Sequence, residues 1–309
     1  MADAVDRKTR LPGTRRVALM VLIAVPVGLL AAACGGTAHD IAPVVAAAAD
    51  LESRWREIEA ASGGRLGVAV VDTGSSRRSA YRDTERFPMC STFKTLLVGA
   101  VLARVDSGVE RLDRRIPFGK GDLLDYSPVT TARVGEGAMT LGELCEAAIT
   151  ESDNTAANLI LATLGGPAGL TNYARSIGDT ATRLDRIEME LNEAVPGDPR
   201  DTTTPAAMVR DLEVLLLGDA LSTASRERLT GWLVANQTGA TRLRAGLPTG
   251  WRLGDKTGSC YHGSTNDVAI VWPPGRAPLL VAVYLTETEV PFEAREATIA
   301  SVGRVVAGL

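Results

Sequence analysis

Ser91 and Lys94 stand three residues apart at the head of an apolar run, Thr95-Leu96-Leu97-Val98-Gly99-Ala100-Val101-Leu102-Ala103. Pro88 upstream and the unbroken run downstream predict a helix start there, leading into a helix buried on most faces. Residues three apart on a helix share one side. A serine hydroxyl is a weak nucleophile until an adjacent base takes its proton. A lysine held away from water can serve as that base, because burial lowers its pKa. The first helical turn adds unpaired backbone N–H groups and the positive end of the helix dipole, both favourable to a developing negative charge. The chain has only four lysines, Lys8, Lys94, Lys120 and Lys256, and its other basic residues are arginine. A lysine at this point in an arginine-using chain suggests a removable proton. Alone, S-x-x-K describes equally well a serine cap on a core helix with a surface lysine.

Two further short motifs follow in order, Ser152-Asp153-Asn154 and Lys256-Thr257-Gly258 with Ser259 beside it. Between them lies Arg186-Ile187-Glu188-Met189-Glu190-Leu191-Asn192, and Asp201-Thr202-Thr203-Thr204-Pro205 closes that segment. A carboxylate such as Glu188 can activate water at neutral pH once it is positioned.

The elements that must position these residues read as follows. A helix is expected over Pro43–Ala61, then a strand over Leu66–Thr73, and a pairing strand over Tyr81–Phe87 that crosses to the Ser91 helix. From Ser91 to about Thr238 the signals are nearly all helical. Thr140-Leu141-Gly142-Glu143 has capping-box spacing, Asn154 starts a helix that runs to Leu164, Thr204-Pro205 opens another, and Ser222 caps one more. The period then changes to strands at Trp251–Ser259, Asn266–Trp272 and Pro278–Thr286, and Pro291 opens a last helix. The order predicts an α+β fold, a five-stranded antiparallel sheet flanked by N- and C-terminal helices with an inserted all-helical domain. The expected division is residues 43–88 with 239–309 as the α/β domain and residues 89–238 as the helical one.

The three motifs in this order and spacing resemble the penicillin-recognising serine hydrolases, of which they are an established signature. The Arg186–Asn192 stretch matches the R-x-E-x-x-L-N of class A β-lactamases, and the likeness runs from about residue 45 to the C-terminus. The resemblance implies a β-lactam substrate, no cofactor and a role for each position. Ser91 is the nucleophile, and its N–H with that of Ser259 forms the oxyanion hole. Ser152, near Lys94 and Lys256, passes a proton to the departing nitrogen. Asn154 holds the substrate's side-chain carbonyl, and Lys256, Thr257 and Ser259 bind its carboxylate. Glu188, with Asn192, directs the water that frees the acyl group. Either Lys94 or Glu188 could be the base for acylation. Glu190 and Glu193 are nearby acids without the spacing to both Arg186 and Asn192. A DD-peptidase or penicillin sensor that stays acylated is the nearest rival, and Glu188 with Asn192 argues against it.

The resemblance also implies an Arg186–Asp201 salt bridge across the base of the loop and a Cys90–Cys260 disulfide. That disulfide is similar to one in a subset of class A enzymes that includes carbapenem-hydrolysing members but is not confined to them. Cys145 is expected as a free buried thiol. Thr265 occupies the place where many members carry an anion-binding arginine, and Arg242 matches the position that supplies it in another subset. Tyr126 fits the aromatic at the cleft mouth.

Composition narrows the setting. A chain of 309 residues with 4% aromatics and a net charge of -4, without a basic patch, argues against a nucleic-acid surface. Its two histidines, His39 and His262, cannot supply a His-rich catalytic metal site, and no metal is expected. Residues 1–34 look like an export signal, with Arg15-Arg16 before the apolar stretch Val17–Ala33 and a similarity to the twin-arginine type. Leu30-Ala31-Ala32-Ala33-Cys34 resembles a lipobox whose leucine sits one place further from the cysteine than is usual. The expectation is an exported monomer, secreted or anchored by lipid on Cys34, with residues 35–42 as a tether.

Overall fold

The computed structural model describes residues 41–309; the expected export signal, Cys34 and residues 35–40 of the tether lie outside the described residues. The first helix, α1 (Ile41–Ser62), starts at Ile41 rather than at Pro43, so the last two tether positions are helical. A proline in a first turn sacrifices no intrahelical bond, because the N–H there has no partner to lose. The hairpin β1 (Arg65–Asp72) and β2 (Arg78–Tyr81) follows. The expected second strand at Tyr81–Phe87 is displaced: Arg82 takes a left-handed φ of 47° and turns the chain away after Tyr81.

After β3 (Phe87–Pro88), a 3-10 turn at Cys90–Thr92 leads into α2 (Phe93–Asp106). Ser91 therefore sits ahead of the α-helix, in the tighter turn, rather than in its first α-helical turn. Then come β4 (Arg115–Pro117), α3 (Pro128–Arg133), β5 (Ala138–Thr140), α4 (Leu141–Thr150), α5 (Asn154–Thr163) and α6 (Pro167–Ser176). The chain ends with β6 (Thr202–Thr203), α7 (Pro205–Leu216), α8 (Thr223–Val234), α9 (Leu243–Gly246), β7 (Arg252–Ser259), β8 (Thr265–Trp272), β9 (Leu279–Thr286) and α10 (Phe292–Val306).

The expected caps hold these helices. Thr140 Oγ1 accepts from Glu143 N at 3.2 Å while Glu143 Oε2 accepts from Thr140 N at 2.7 Å, and Ser222 Oγ accepts from Ser225 N at 3.2 Å. Three short strands interrupt the stretch expected to be helical, β4 and β5 pairing with each other and β6 with β3 just ahead of it. Strands of two or three residues are too short to leave a period in the sequence.

The main sheet has the order β2-β1-β9-β8-β7, all antiparallel, so the first strands of the chain pair with the last. Alternation along β1 divides the apolar side chains between two faces. Leu66, Val68 and Val70 pack with Trp55 of α1 and Ile299 and Val302 of α10. Ala69 and Val71 join the larger core with Phe93, Leu97 and Met208 from the helices on the other face. Each fully buried Leu, Val or Phe contributes roughly 1.5–3 kcal/mol. This leaves β7 as the edge strand that faces the Ser91 turn. Among the described residues no helix is long and apolar enough to cross a membrane, and no cluster of metal-ligating side chains is found.

Candidate active site

Gly258 explains how β7 and the Ser91 turn come together. A Cβ there would lie 2.8 Å from Met89 O and 3.2 Å from Ser91 N, so only glycine lets β7 approach the turn this closely. The Cys90–Cys260 disulfide, with Cα atoms 5.6 Å apart, ties the same two segments together, as the resemblance implies. Asn266 Nδ2 adds a third tie by donating to Pro88 O at 2.9 Å and Met89 O at 3.2 Å. A cleft of about 640 Å³ opens beside this junction, lined by Ser91, Ser152, Asn154, Arg242, Thr257 and Ser259 among others. Non-glycine residues with left-handed backbone, Cys90 (φ 46°), Tyr126 (φ 55°) and Ser152 (φ 57°), flank it. Such residues cost of order 1–3 kcal/mol each and persist where the surroundings over-determine them.

Lys94 is completely buried beneath the cleft. Its Nζ donates to Asn154 Oδ1 at 2.6 Å and to Ser152 O at 2.8 Å, and lies 3.4 Å from Ser152 Oγ. Glu188 Oε1 is 3.2 Å away, with both side chains wholly inaccessible. Burial pulls the Lys94 ammonium below the ordinary lysine value, against the opposing attraction of Glu188. Lys256 approaches from β7 and donates to Ser152 Oγ at 3.0 Å and to Thr257 O at 2.9 Å. Burial first, and the charge of Lys94 next, push it well below the usual range. Ser152 Oγ thus stands between two lysines of depressed basicity, an arrangement suited to passing a proton.

The middle residue of the second motif, to which the sequence reading gives no role, proves structural. Asp153 caps α5 by accepting from Ala156 N at 2.8 Å, and its other oxygen accepts from Val129 N at 3.0 Å and Thr130 N at 2.9 Å. It thereby fixes both Ser152 and Asn154. Asn154 Nδ2 donates to Asp125 O at 2.9 Å and lies 3.1 Å from Met189 Sδ.

Glu188 Oε2 accepts from Asn192 Nδ2 at 2.5 Å. Asn158, which the sequence reading misses, holds the Glu188 backbone from α5, accepting from Glu188 N at 3.0 Å and donating to Glu188 O at 2.8 Å. It lies one helical turn beyond Asn154, and that i, i+4 spacing was its available signal. The loop is closed as the resemblance implies. Arg186 Nε donates to Asp201 Oδ2 at 2.6 Å, and Asp201 Oδ1 accepts from Asp185 N at 2.8 Å and Arg186 N at 3.0 Å. Of the two nearby acids, Glu193 completes the lock by pairing with Arg186.

Arg242 is buried, with 3% exposure, rather than solvated at a helix end. It donates to Gly258 O at 2.9 Å, Asn266 O at 2.7 Å and Ser259 Oγ at 2.6 Å. Glu296, also missed, pairs with it at 3.2 Å. Thr265 is buried at the place named for an alternative arginine. Tyr126 stands 62% exposed at the cleft edge, and Thr257 Oγ1 lies 2.5 Å from Thr238 Oγ1. Cys145 is free and buried, and burial raises its thiol far above the usual range.

Comparison with known proteins agrees with this geometry. Residues 50–308 match the model of the β-lactamase enzyme family. The chain is 50% identical to β-lactamase AST-1 of Nocardia asteroides, with 94% of each chain covered. It is 46% identical to β-lactamase CTX-M-8 of Citrobacter amalonaticus, over 90% of this chain and 95% of that one. Among solved structures, an ancestral class A β-lactamase superposes with a TM-score of 0.82 at 68% identity, covering 84% of this chain and 99% of the other. With the motifs assembled in one cleft and these relatives over most of its length, the chain belongs to the class A serine β-lactamases and is a β-lactam hydrolase.

Proposed function

We propose that the enzyme opens penicillins and cephalosporins through an acyl-enzyme on Ser91, and that carbapenems extend this range. The observation that carries the reading is the buried cluster of Lys94, Ser152, Lys256 and Glu188 beside the turn that carries the half-buried Ser91 into the cleft. The substrate carboxylate sits against Lys256, Thr257 and Ser259. Its side-chain carbonyl accepts the Asn154 Nδ2–H hydrogen bond now directed at Met189 Sδ, and its side chain rests on Tyr126. Ser91 Oγ attacks the strained carbonyl and its proton passes to the buried Lys94–Glu188 pair. The tetrahedral oxyanion is met by the N–H groups of Ser91 and Ser259, each such donor being worth about 3–4 kcal/mol. The C–N bond breaks and Ser152 Oγ supplies the proton to nitrogen, drawing on its lysine neighbours.

Release needs water. Asn192 Oδ1 is a buried acceptor with no donor among the described residues, directly beside Glu188. A water donating to both is placed to lose a proton to Glu188 and attack the ester, which regenerates the Ser91 hydroxyl and frees the ring-opened acid. The amino-terminal pattern supports export, with Cys34 as a lipid anchor, and the oxidised Cys90–Cys260 pair suits an extracytoplasmic site. Nitrocefin, benzylpenicillin and imipenem hydrolysis followed by absorbance tests the proposal. The wild type is expected to turn over nitrocefin and benzylpenicillin, while Ser91→Ala of unchanged melting temperature is inert. Equal turnover by both proteins would refute it.

A further inference from the structure

Beyond Arg242 the cleft wall is built by α10, which presents Phe292, Arg295 and Glu296 to the same space as Ser91 and Ser259. Two guanidinium groups meet there, and the fold treats them differently. Arg242 is fully occupied by Gly258 O, Asn266 O and Ser259 Oγ, and its charge is balanced by Glu296 at 3.2 Å. Arg295 has neither a side-chain hydrogen bond nor an ion pair among the described residues, and its Nε–H is buried without a partner. Its placement comes instead from Phe292. The ring centre lies 5.1 Å from the Arg295 guanidinium carbon and 5.7 Å from that of Arg242. A ring face attracts a cation without neutralising it. Burial and the adjacent Arg242 lower the Arg295 pKa from its ordinary value, yet a guanidinium remains charged at any working pH. Glu293 and Glu296 oppose that lowering from a distance, but neither bonds Arg295, so one guanidinium without a bonded acidic partner among the described residues lines the cleft.

A β-lactam whose carboxylate lies on Lys256, Thr257 and Ser259 directs the substituent of the neighbouring ring carbon, C3 in a cephalosporin, along this wall. We propose that Arg295 is a specificity-determining residue that selects β-lactams carrying a second anionic group on the carbon next to the carboxylate-bearing one. The inference rests on the catalytic reading of Ser91. It uses no residue of the acylation or deacylation steps, so the two can fail separately.

Cefamandole and cefonicid provide the test. They share the mandelyl side chain and the C3 thiotetrazole, and differ only in that the tetrazole of cefonicid bears a sulfomethyl group in place of methyl. The full chain is expected to favour cefonicid in kcat/KM. Arg295→Gln should lower the cefonicid value about fivefold, through KM, and leave cefamandole within error. Arg295→Lys should recover most of the loss, and sodium chloride at about 0.5 M should erase most of the wild-type preference. If Arg295→Gln moves both substrates equally, or acts through kcat alone, the side chain is a packing element and the proposal is overturned. A wild type that hydrolyses neither cephalosporin would instead contradict the catalytic reading itself.

Discussion

At the scale of single residues, the site is governed by two lysines that the fold strips of water. Both were legible in the sequence because lysine is so rare here; what could not be read was how they are linked, since Ser152 Oγ reaches both only after α2, the α4–α5 turn and β7 meet. Lys256 gives a pH prediction with a definite sign. Its folded pKa lies below that of a free lysine, so its charge is lost at a lower pH than usual as the medium becomes alkaline. KM for benzylpenicillin should therefore rise with pH on the alkaline side of neutrality in the wild type. In Lys256→Arg, whose guanidinium keeps its charge, KM should stay flat over the same range. Equal slopes in steady-state KM profiles of the two proteins would show that Lys256 is not the carboxylate anchor.

At the scale of elements, the segment from Arg186 to Asp201 decides whether Glu188 is held in place. It has little apolar content, and its order comes from Asp201, which is 1% exposed and accepts from Arg186 and from two backbone N–H groups. Removing one partner of a buried pair leaves an uncompensated charge, at a cost of about 3 kcal/mol or more. Arg186→Ala should accordingly lower the melting temperature by several degrees in calorimetry, and should slow deacylation more than acylation in stopped-flow traces. Unchanged stability and turnover would exclude the lock. The helices themselves were readable from their caps, because Thr140, Thr204 and Ser222 each do locally what their residue type suggests. The short β3–β6 pairing was not, since its partners are far apart in sequence and it exists only because the loop base folds back beside the nucleophile turn.

At the scale of the whole molecule, the interruption of one sheet by a long helical segment was visible as a change of period, whereas the polar groups trapped between the layers were not. Asp211 on α7 and Asp179 beside it are buried, and each keeps an oxygen without a partner among the described residues. Burial, then the charge of Asp179, raises the Asp211 pKa well above the ordinary aspartate value. A raised folded-state pKa means stability that is present at acid pH and lost as pH climbs through the folded value. Asp211→Asn should hence match the wild type in urea unfolding near pH 4 and exceed it by about 1 kcal/mol or more at pH 8. Equal or lower stability at pH 8 would contradict the buried-acid reading. The disulfide acts on the same scale, spanning 170 residues, and is expected to contribute on the order of 2–5 kcal/mol. Non-reducing peptide mapping of oxidised protein should recover Cys90 and Cys260 in one linked fragment, and Cys90→Ser should melt earlier. On the proposed mechanism this architecture brings one hydroxyl and one carboxylate to opposite ends of the same reaction, and that division of labour can be weighed directly. Glu188→Gln exposed to benzylpenicillin and examined by intact-mass spectrometry should carry a persistent adduct of one whole penicillin, mapped to Ser91, where the wild type returns unmodified. A variant that shows no adduct, or that releases it as fast as the wild type, would contradict the account.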